Sequence, residues 1–169
     1  VSILSRILPL QSGEITINNS SWSETNDFTW RKNTSTVLQP VQLLKGTVLE
    51  NIGCSSKYSE PKKIISFCKE MGFDNFFKEF PNGYSTTSNN VSAGQKQLIA
   101  LAAALYRKPR LLLLDEPFVF MDLEMSFFCM ELLHKIKTEM VIIIFTGSKK
   151  TKSKVDKFFV YKMIDYNYV

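Results

Sequence analysis

The chain has 169 residues, of which 44% are apolar and 22% charged, as is usual for a soluble globular protein with one core. It contains no run of about 18 apolar residues and no signal peptide opens it, so no membrane span of its own is predicted. The net charge of +5 is modest, and three cysteines without CxxC spacing exclude a full disulfide framework or a zinc pattern and favour a reduced cytosolic setting.

The first third of the chain is predicted to contain one helix, two short strands and a polar connection. In chain order these are a helix over residues 1–10 ended by Pro9, a strand over 14–17, a loop over 20–33 that contains Trp22 and Trp30, and a buried strand over 37–38.

The middle of the chain is predicted to be helical. From residue 48 to about 84 apolar side chains recur at helical spacing, and Ile64, Cys68 and Met71 share one broad apolar face. Residues 80–90 are rich in Pro, Gly and Asn and are predicted to be a loop. A helix over 95–107, rich in alanine and leucine, follows.

The last third alternates strands with helices. The predicted elements are a buried strand over 111–114, an amphipathic helix over 123–138, and strands over 141–145 and 158–161. This alternation predicts an α/β fold with a parallel sheet, which the helical block over about 51–107 interrupts. Four lysines among residues 149–154 indicate a solvated helix face, or alternatively contact with anionic lipid or nucleic acid.

Two adjacent carboxylates, Asp115 and Glu116, follow the four leucines of the predicted buried strand. Burying charged carboxylates beside such a strand costs free energy unless they have a binding partner. The C-terminal end of a strand in a parallel sheet is also where ligands bind. Nucleoside triphosphatases need such a pair, one to hold Mg²⁺ and the other to orient or deprotonate the attacking water. The alternative is a polar pair that merely ends the strand.

Ser92 stands just before the predicted helix over 95–107, with Ala93 and Gly94 between them. A serine at a helix N-terminus, beside free N–H groups and the positive end of the dipole, is typical of an anion site. The alternative is a serine that only caps the helix.

In this order and spacing, these residues resemble the ATP-binding-cassette family. Residues 92–97 resemble its signature motif, usually written LSGGQ, with Ala93 in place of the first glycine. Residues 111–116 resemble its Walker B strand with the catalytic glutamate. Asp122 stands where its D-loop aspartate falls, although it could also be a helix N-cap. Residues 37–52 are similar to its Q-loop region, with Gln39 as the glutamine. The closest similarity is to bacterial exporters of peptides or bacteriocins.

The resemblance implies a P-loop NTPase-like core at residues 1–50 and 108–169, with an inserted helical subdomain at 51–107 that carries the signature motif. It implies ATP and Mg²⁺ as cofactors, Glu116 as the catalytic residue, and Asp115 and Gln39 at the metal. Nucleotide contacts are implied for the following residues: Gln39, Ser92, Ala93, Gly94, Gln95, Asp115 and Asp122. It also implies a second nucleotide-binding domain and transmembrane domains as partners, a place at the cytoplasmic face of the plasma membrane, and no nucleic acid.

Three departures from the family pattern limit what the chain is expected to do. The sequence contains no G-x-x-x-x-G-K-[ST] loop, and in register Val1 takes the place of the Mg²⁺-binding Ser or Thr. The fold should therefore lack the Walker A strand and loop. Gly147 stands where the switch histidine is expected, and the only histidine, His134, lies in a predicted helix as an ordinary residue. After the Walker B strand, Phe118 and Val119 replace small polar residues.

These departures leave three hypotheses open. The first is the ATP-hydrolysing subunit, or a fragment of one, of an exporter, with weak or no activity in isolation. The second is a catalytically dead module that supplies its signature motif to a partner ATPase. The third is the product of a non-functional gene fragment.

Overall fold

A computed structural model of the chain describes residues 1–53 and 60–147. The predicted strand over 158–161, the four lysines among residues 149–154 and Cys54 lie outside the described residues. None of the described helices is both long and apolar enough to cross a membrane.

The described residues form short N-terminal elements, a helical middle and a parallel sheet. In chain order the elements are β1 (Thr16–Ile17), β2 (Ser20–Ser21), α1 (Asp27–Asn33), β3 (Thr34–Val37), α2 (Val48–Gly53), α3 (Pro61–Glu70), α4 (Asp74–Phe77), α5 (Ala93–Tyr106), β4 (Leu111–Asp115), α6 (Leu123–Ile136) and β5 (Val141–Phe145). Short 3₁₀ turns lie at Trp22–Glu24, Gly83–Ser85 and Ser88–Asn90.

The sheet is parallel, with the order β3-β4-β5 among the described strands. Its middle strand, β4, buries Leu112, Leu113 and Leu114 completely, which explains the unbroken apolar run. In β5 the same kind of run is only half-buried, and Val141 is 61% exposed. The α/β fold class with a parallel sheet is confirmed, and helices α2 to α5 fill the chain between β3 and β4.

The predicted helix over residues 1–10 is wrong. A single helical turn closes with a hydrogen bond from Ser5 N to Val1 O, and the chain then reverses at Arg6, whose φ is +54°. Bonds from Arg6 N to Ile3 O and from Ile7 N to Ser2 O are those of a Schellman C-terminal motif. The left-handed residue is an arginine, not the usual glycine, so the sequence gives no local sign of this end.

The Arg6 side chain explains why its backbone takes that conformation. Its guanidinium donates to the backbone carbonyls of Trp22 and Thr25 at 2.6 and 2.7 Å and to the Asp27 carboxylate. It also lies 4.6 Å from the centre of the Trp22 ring, within cation–π range. These contacts come from residues far along the chain, so sequence periodicity could not reveal them.

The polar segment over 20–33 is not only loop and turn, as predicted. It begins with β2, which pairs with β1 through a two-residue turn whose residues, Asn18 and Asn19, both have positive φ. It ends in α1, whose N-cap Asn26 accepts a hydrogen bond from Phe28 N. The helix forms because Trp30 packs edge-to-face on Trp22, with ring centres 6.1 Å apart.

The helical middle is held together by an aromatic cluster. Phe73 and Phe77 are fully buried and stack with ring centres 5.8 Å apart. Phe128 of α6 meets Phe73 edge-to-face at 5.4 Å, and Phe67 of α3 lies 6.4 Å from Phe73. The cluster therefore joins the helices inserted between β3 and β4 to the helix that follows the sheet.

Two buried thiols give a simple test of this packing. Burial raises the pKa of both the Cys68 and the Cys129 thiol to about 12. Both thiols are therefore protonated near pH 8, and the thiolate is the reactive form. In a Cys54→Ser variant we expect no reaction with a thiol reagent in the native state and two thiols per chain in denaturant. One thiol titrating rapidly without denaturant would contradict the packing.

Candidate functional site

Glu116 lies directly after β4 and is held by the end of β5. Its backbone N–H donates to Phe145 O at 2.9 Å, and its φ is +42°, a conformation that is unfavourable for a glutamate. Its carboxylate accepts hydrogen bonds from Thr146 Oγ1 at 2.9 Å and from Gly147 N at 2.6 Å. The side chain predicted to be catalytic is thus fixed by two donors in a strained turn at the strand end.

The carbonyl of Glu116 is held from a second direction. It accepts from Gln97 Nε2 at 3.1 Å and, more weakly, from Gln39 Nε2 at 3.4 Å. Gln39 and Glu116 were both predicted to be site residues, and the structure brings them into contact. Gln97 was missed, although a glutamine two residues after Gln95 on an otherwise apolar helix face is a usable signal, because a buried amide needs partners.

Ser92 caps α5 in a reciprocal arrangement. Its Oγ accepts from Gln95 N at 3.2 Å, while Gln95 Oε1 accepts from Ser92 N at 2.8 Å. This capping box fixes the helix start and leaves the N–H groups of Ala93 and Gly94 without partners inside the helix. The helix-cap alternative is therefore observed, and an anion-binding role of the same turn stays a prediction.

Gly94 allows the first turn of α5 to approach the segment after Glu116. A Cβ at this position would lie 2.5 Å from the Phe120 carbonyl oxygen and 3.2 Å from Met121 Cα. Because both neighbours are backbone atoms, a larger residue could fit only if one segment moved. The helix start and residues 116–121 consequently pack as one unit.

Asp122 caps the N-terminus of α6, as predicted by the alternative to a D-loop role. Its Oδ1 accepts from Met125 N at 2.8 Å, and the side chain is exposed. Between Glu116 and this cap the chain presents two exposed apolar residues, Val119 and Phe120, and Leu123 in the next turn is 76% exposed. A D-loop role for Asp122 is compatible with this exposure and stays a prediction.

The residues predicted to hold a metal offer oxygen ligands of a suitable kind. Asp115 ends β4 with a half-buried side chain, and Gln39 Oε1 is buried without a hydrogen-bond partner. Across residues 1–53 and 60–147, no group of three or more His, Cys, Asp or Glu side chains could hold a metal. One carboxylate and one amide oxygen fit Mg²⁺ only when nucleotide phosphates and water complete its shell.

Steric crowding does not require a glycine at position 147. A Cβ there would lie 3.5 Å from Glu116 Oε1, which is ordinary van der Waals distance. The backbone N–H of Gly147 and the hydroxyl of Thr146 hold the carboxylate where the family resemblance leads one to expect a histidine. His134 is exposed on α6, as an ordinary surface residue would be.

The comparison with known proteins covers most of the chain. A family model described as "ABC transporter" matches residues 1–119. The ABC-type transporter kk1G of Curvularia clavata is 32% identical over 166 residues, which make up 95% of this chain and 12% of that protein. Multidrug resistance protein pgp-1 of Caenorhabditis elegans is 32% identical over 160 residues, or 92% of this chain and 12% of that protein. The chain thus spans 12% of the length of each relative.

A solved structure shows the same fold. A bacterial Atm1-family ABC exporter with ATP bound aligns with a TM-score of 0.79 over 89% of this chain and 27% of that one. The sequence identity is 21%, so this likeness concerns the fold alone.

Proposed function

The chain belongs to the ABC transporter family, and from that premise we propose that it is the ATP-hydrolysing part of an exporter. The observation that carries the proposal is the arrangement around residues 116–120. This segment presents the Glu116 carboxylate at the end of the sheet and packs against the capped N-terminus of α5 through Gly94. A single unit thus offers a base and an anion-binding helix end.

In this proposal Glu116 accepts a proton from the attacking water. Its two oxygens keep a fixed direction because Thr146 and Gly147 each donate to one of them, and each oxygen has a second lone pair left for water. The N–H groups of Ala93 and Gly94, which have no partner inside α5, would face the terminal phosphate bound by a second nucleotide-binding domain.

Asp115 and Gln39 would hold Mg²⁺ together with the nucleotide. Mg²⁺, when bound, neutralises charge on the phosphate oxygens and orients them. Gln39 Oε1, which is buried without a hydrogen-bond partner, supports this assignment. Burying an amide oxygen without a partner destabilises the fold, and a bound ligand would remove that cost.

The sequence lacks the phosphate-binding loop that supplies most of the affinity for ATP, so the 169-residue chain alone is expected to bind Mg-ATP weakly or not at all. The proposal is tested by fusing the Walker A strand and loop of an exporter cassette ahead of Val1. The fused protein should bind and hydrolyse Mg-ATP. Binding without hydrolysis would favour the second hypothesis, and a folded protein that does neither would contradict the first.

The exporter is further proposed to be of the bacterial peptide or bacteriocin type, because the sequence as a whole resembles that group. The proposed partners are a second nucleotide-binding domain and transmembrane domains, through which the chain would sit at the cytoplasmic face of the plasma membrane. Residues 1–50 and 108–169 would form the core, and 51–107 the helical subdomain.

The second candidate, a module that lends its signature motif to a partner, rests on the preserved capping box of α5. Ser92→Arg should abolish the chain's stimulation of a cassette domain that has its own phosphate loop, because a long side chain would fill the anion site. Ser66→Arg, on the exposed face of α3, is the matched control and should leave stimulation intact. Equal stimulation by both variants, measured as phosphate release, would rule this candidate out.

A further inference from the structure

The Gln97 side chain is buried, with 1% of its surface exposed, and both its amide nitrogen and its amide oxygen make hydrogen bonds. Its Nε2 donates to the Glu116 carbonyl at 3.1 Å, and its Oε1 accepts from Phe120 N at 3.1 Å. It therefore spans both ends of the turn that follows β4. The amide belongs to α5, the helix that Ser92 caps, five residues before it.

We propose that Gln97 is a positioning residue that fixes the Glu116 carboxylate by clamping residues 116–120 to α5. The inference rests on the proposed function for its importance, but the clamp itself can be tested without nucleotide. Both hydrogen bonds of Gln97 go to backbone atoms, so its effect on the carboxylate would pass through the backbone of the turn.

The need for a clamp comes from the backbone of Glu116. A glutamate at a φ of +42° is strained and persists only when its surroundings hold it there. Of the contacts that hold it, the Gln97 bond to its carbonyl is shorter than the Gln39 bond to the same atom.

Glutamine is the residue type that fits this place. The clamp needs a donor for one backbone carbonyl and an acceptor for one backbone N–H, and a primary amide supplies both. A glutamate could accept from Phe120 N but could not donate to Glu116 O. A methionine has a similar shape and can do neither well.

The clamp also links the two halves of the proposed site. Gly94 and Gln97 lie on successive turns of one helix, and both contact the backbone at Phe120. A displacement of the α5 start would therefore be passed to Glu116 through contacts between rigid elements. In a cassette dimer this would connect the phosphate of one site with the base of the other.

The test uses backbone amide NMR and hydrogen exchange on the full chain. Gly147 N is the reporter, because it bonds to Glu116 Oε1 and is not bonded to Gln97. In Gln97→Met, we expect the protection of the Phe120 amide to fall at least about tenfold. The Gly147 amide proton should move upfield as its short bond to the carboxylate loosens. The Leu113 amide in β4 should keep its protection.

A second variant tests the two hydrogen bonds of Gln97 separately, and it replaces the first variant if Gln97→Met does not fold. In Gln97→Glu the Phe120 amide should stay protected, while the Gly147 signal should still shift. Gln42→Met, at an exposed position, is the matched control and should change neither signal. A Gly147 signal that stays in place in both Gln97 variants, or protection that falls uniformly and includes Leu113, would overturn the proposal. Because no nucleotide is present, a failure of the ATPase proposal cannot produce either outcome.

Discussion

Glu116→Gln is expected to lower Mg-ATP hydrolysis at least about 100-fold in the protein completed with a phosphate loop. The amide keeps the shape of the carboxylate but cannot take a proton from water. It can keep its oxygen toward Gly147 N, and the Thr146 hydroxyl can turn to accept from the new NH₂ group. Structure and nucleotide affinity should therefore change little.

The measurement is the rate of phosphate release together with the dissociation constant for Mg-ATP. Glu131→Gln removes an exposed carboxylate of α6 and should leave both unchanged. If Glu116→Gln hydrolyses ATP within about threefold of the unchanged protein, the base is another group. A large loss of affinity would instead place Glu116 among the groups that hold the nucleotide.

Phe73→Ala is expected to destabilise the chain by about 3–5 kcal/mol, the usual cost of removing a buried aromatic ring. Phe73 is fully buried and meets Phe67, Phe77 and Phe128. Domains of this size are stable by about 5–15 kcal/mol, so the loss is a large part of the total.

Urea unfolding followed by circular dichroism measures this change. Phe28→Ala removes the same ring at a position that is 76% exposed, and its effect should stay within about 0.5 kcal/mol. If the two variants unfold at the same urea concentration, the aromatic cluster does not hold the helical middle together. Two separate transitions in the unfolding curve would show that the helical middle unfolds separately from the sheet.

Local patterns were enough to predict the middle strand of the sheet and β5, whereas β3 begins three residues before the predicted strand over 37–38. Three of the four leucines of β4 are fully buried, as an unbroken apolar run between Pro109 and Pro117 predicts. The same holds for the cap of α5, because a serine followed three residues later by glutamine fixes a helix start by local bonds alone.

Long-range contacts decided the elements that sequence reasoning missed. Nothing near Arg6 shows that it stacks on Trp22, yet this contact ends the first turn. Similarly, the sequence shows that the Gln97 amide needs partners on an apolar helix face, but only the fold shows that these partners are backbone atoms of Glu116 and Phe120. The roles of the site residues stay predictions, since contacts alone show how a side chain is held and not what it does to a ligand.

The half-buried strand β5 affects how the protein associates in solution. Among the described residues it pairs only with β4, so its other edge has no strand beside it there. Val141–Phe145 is uncharged and rich in β-branched residues, the composition of a segment that adds strands from other chains. Wherever such a segment is left unpaired, it favours association between chains in concentrated solution, and a strand supplied beside it would be expected to improve solubility as well as to extend the sheet.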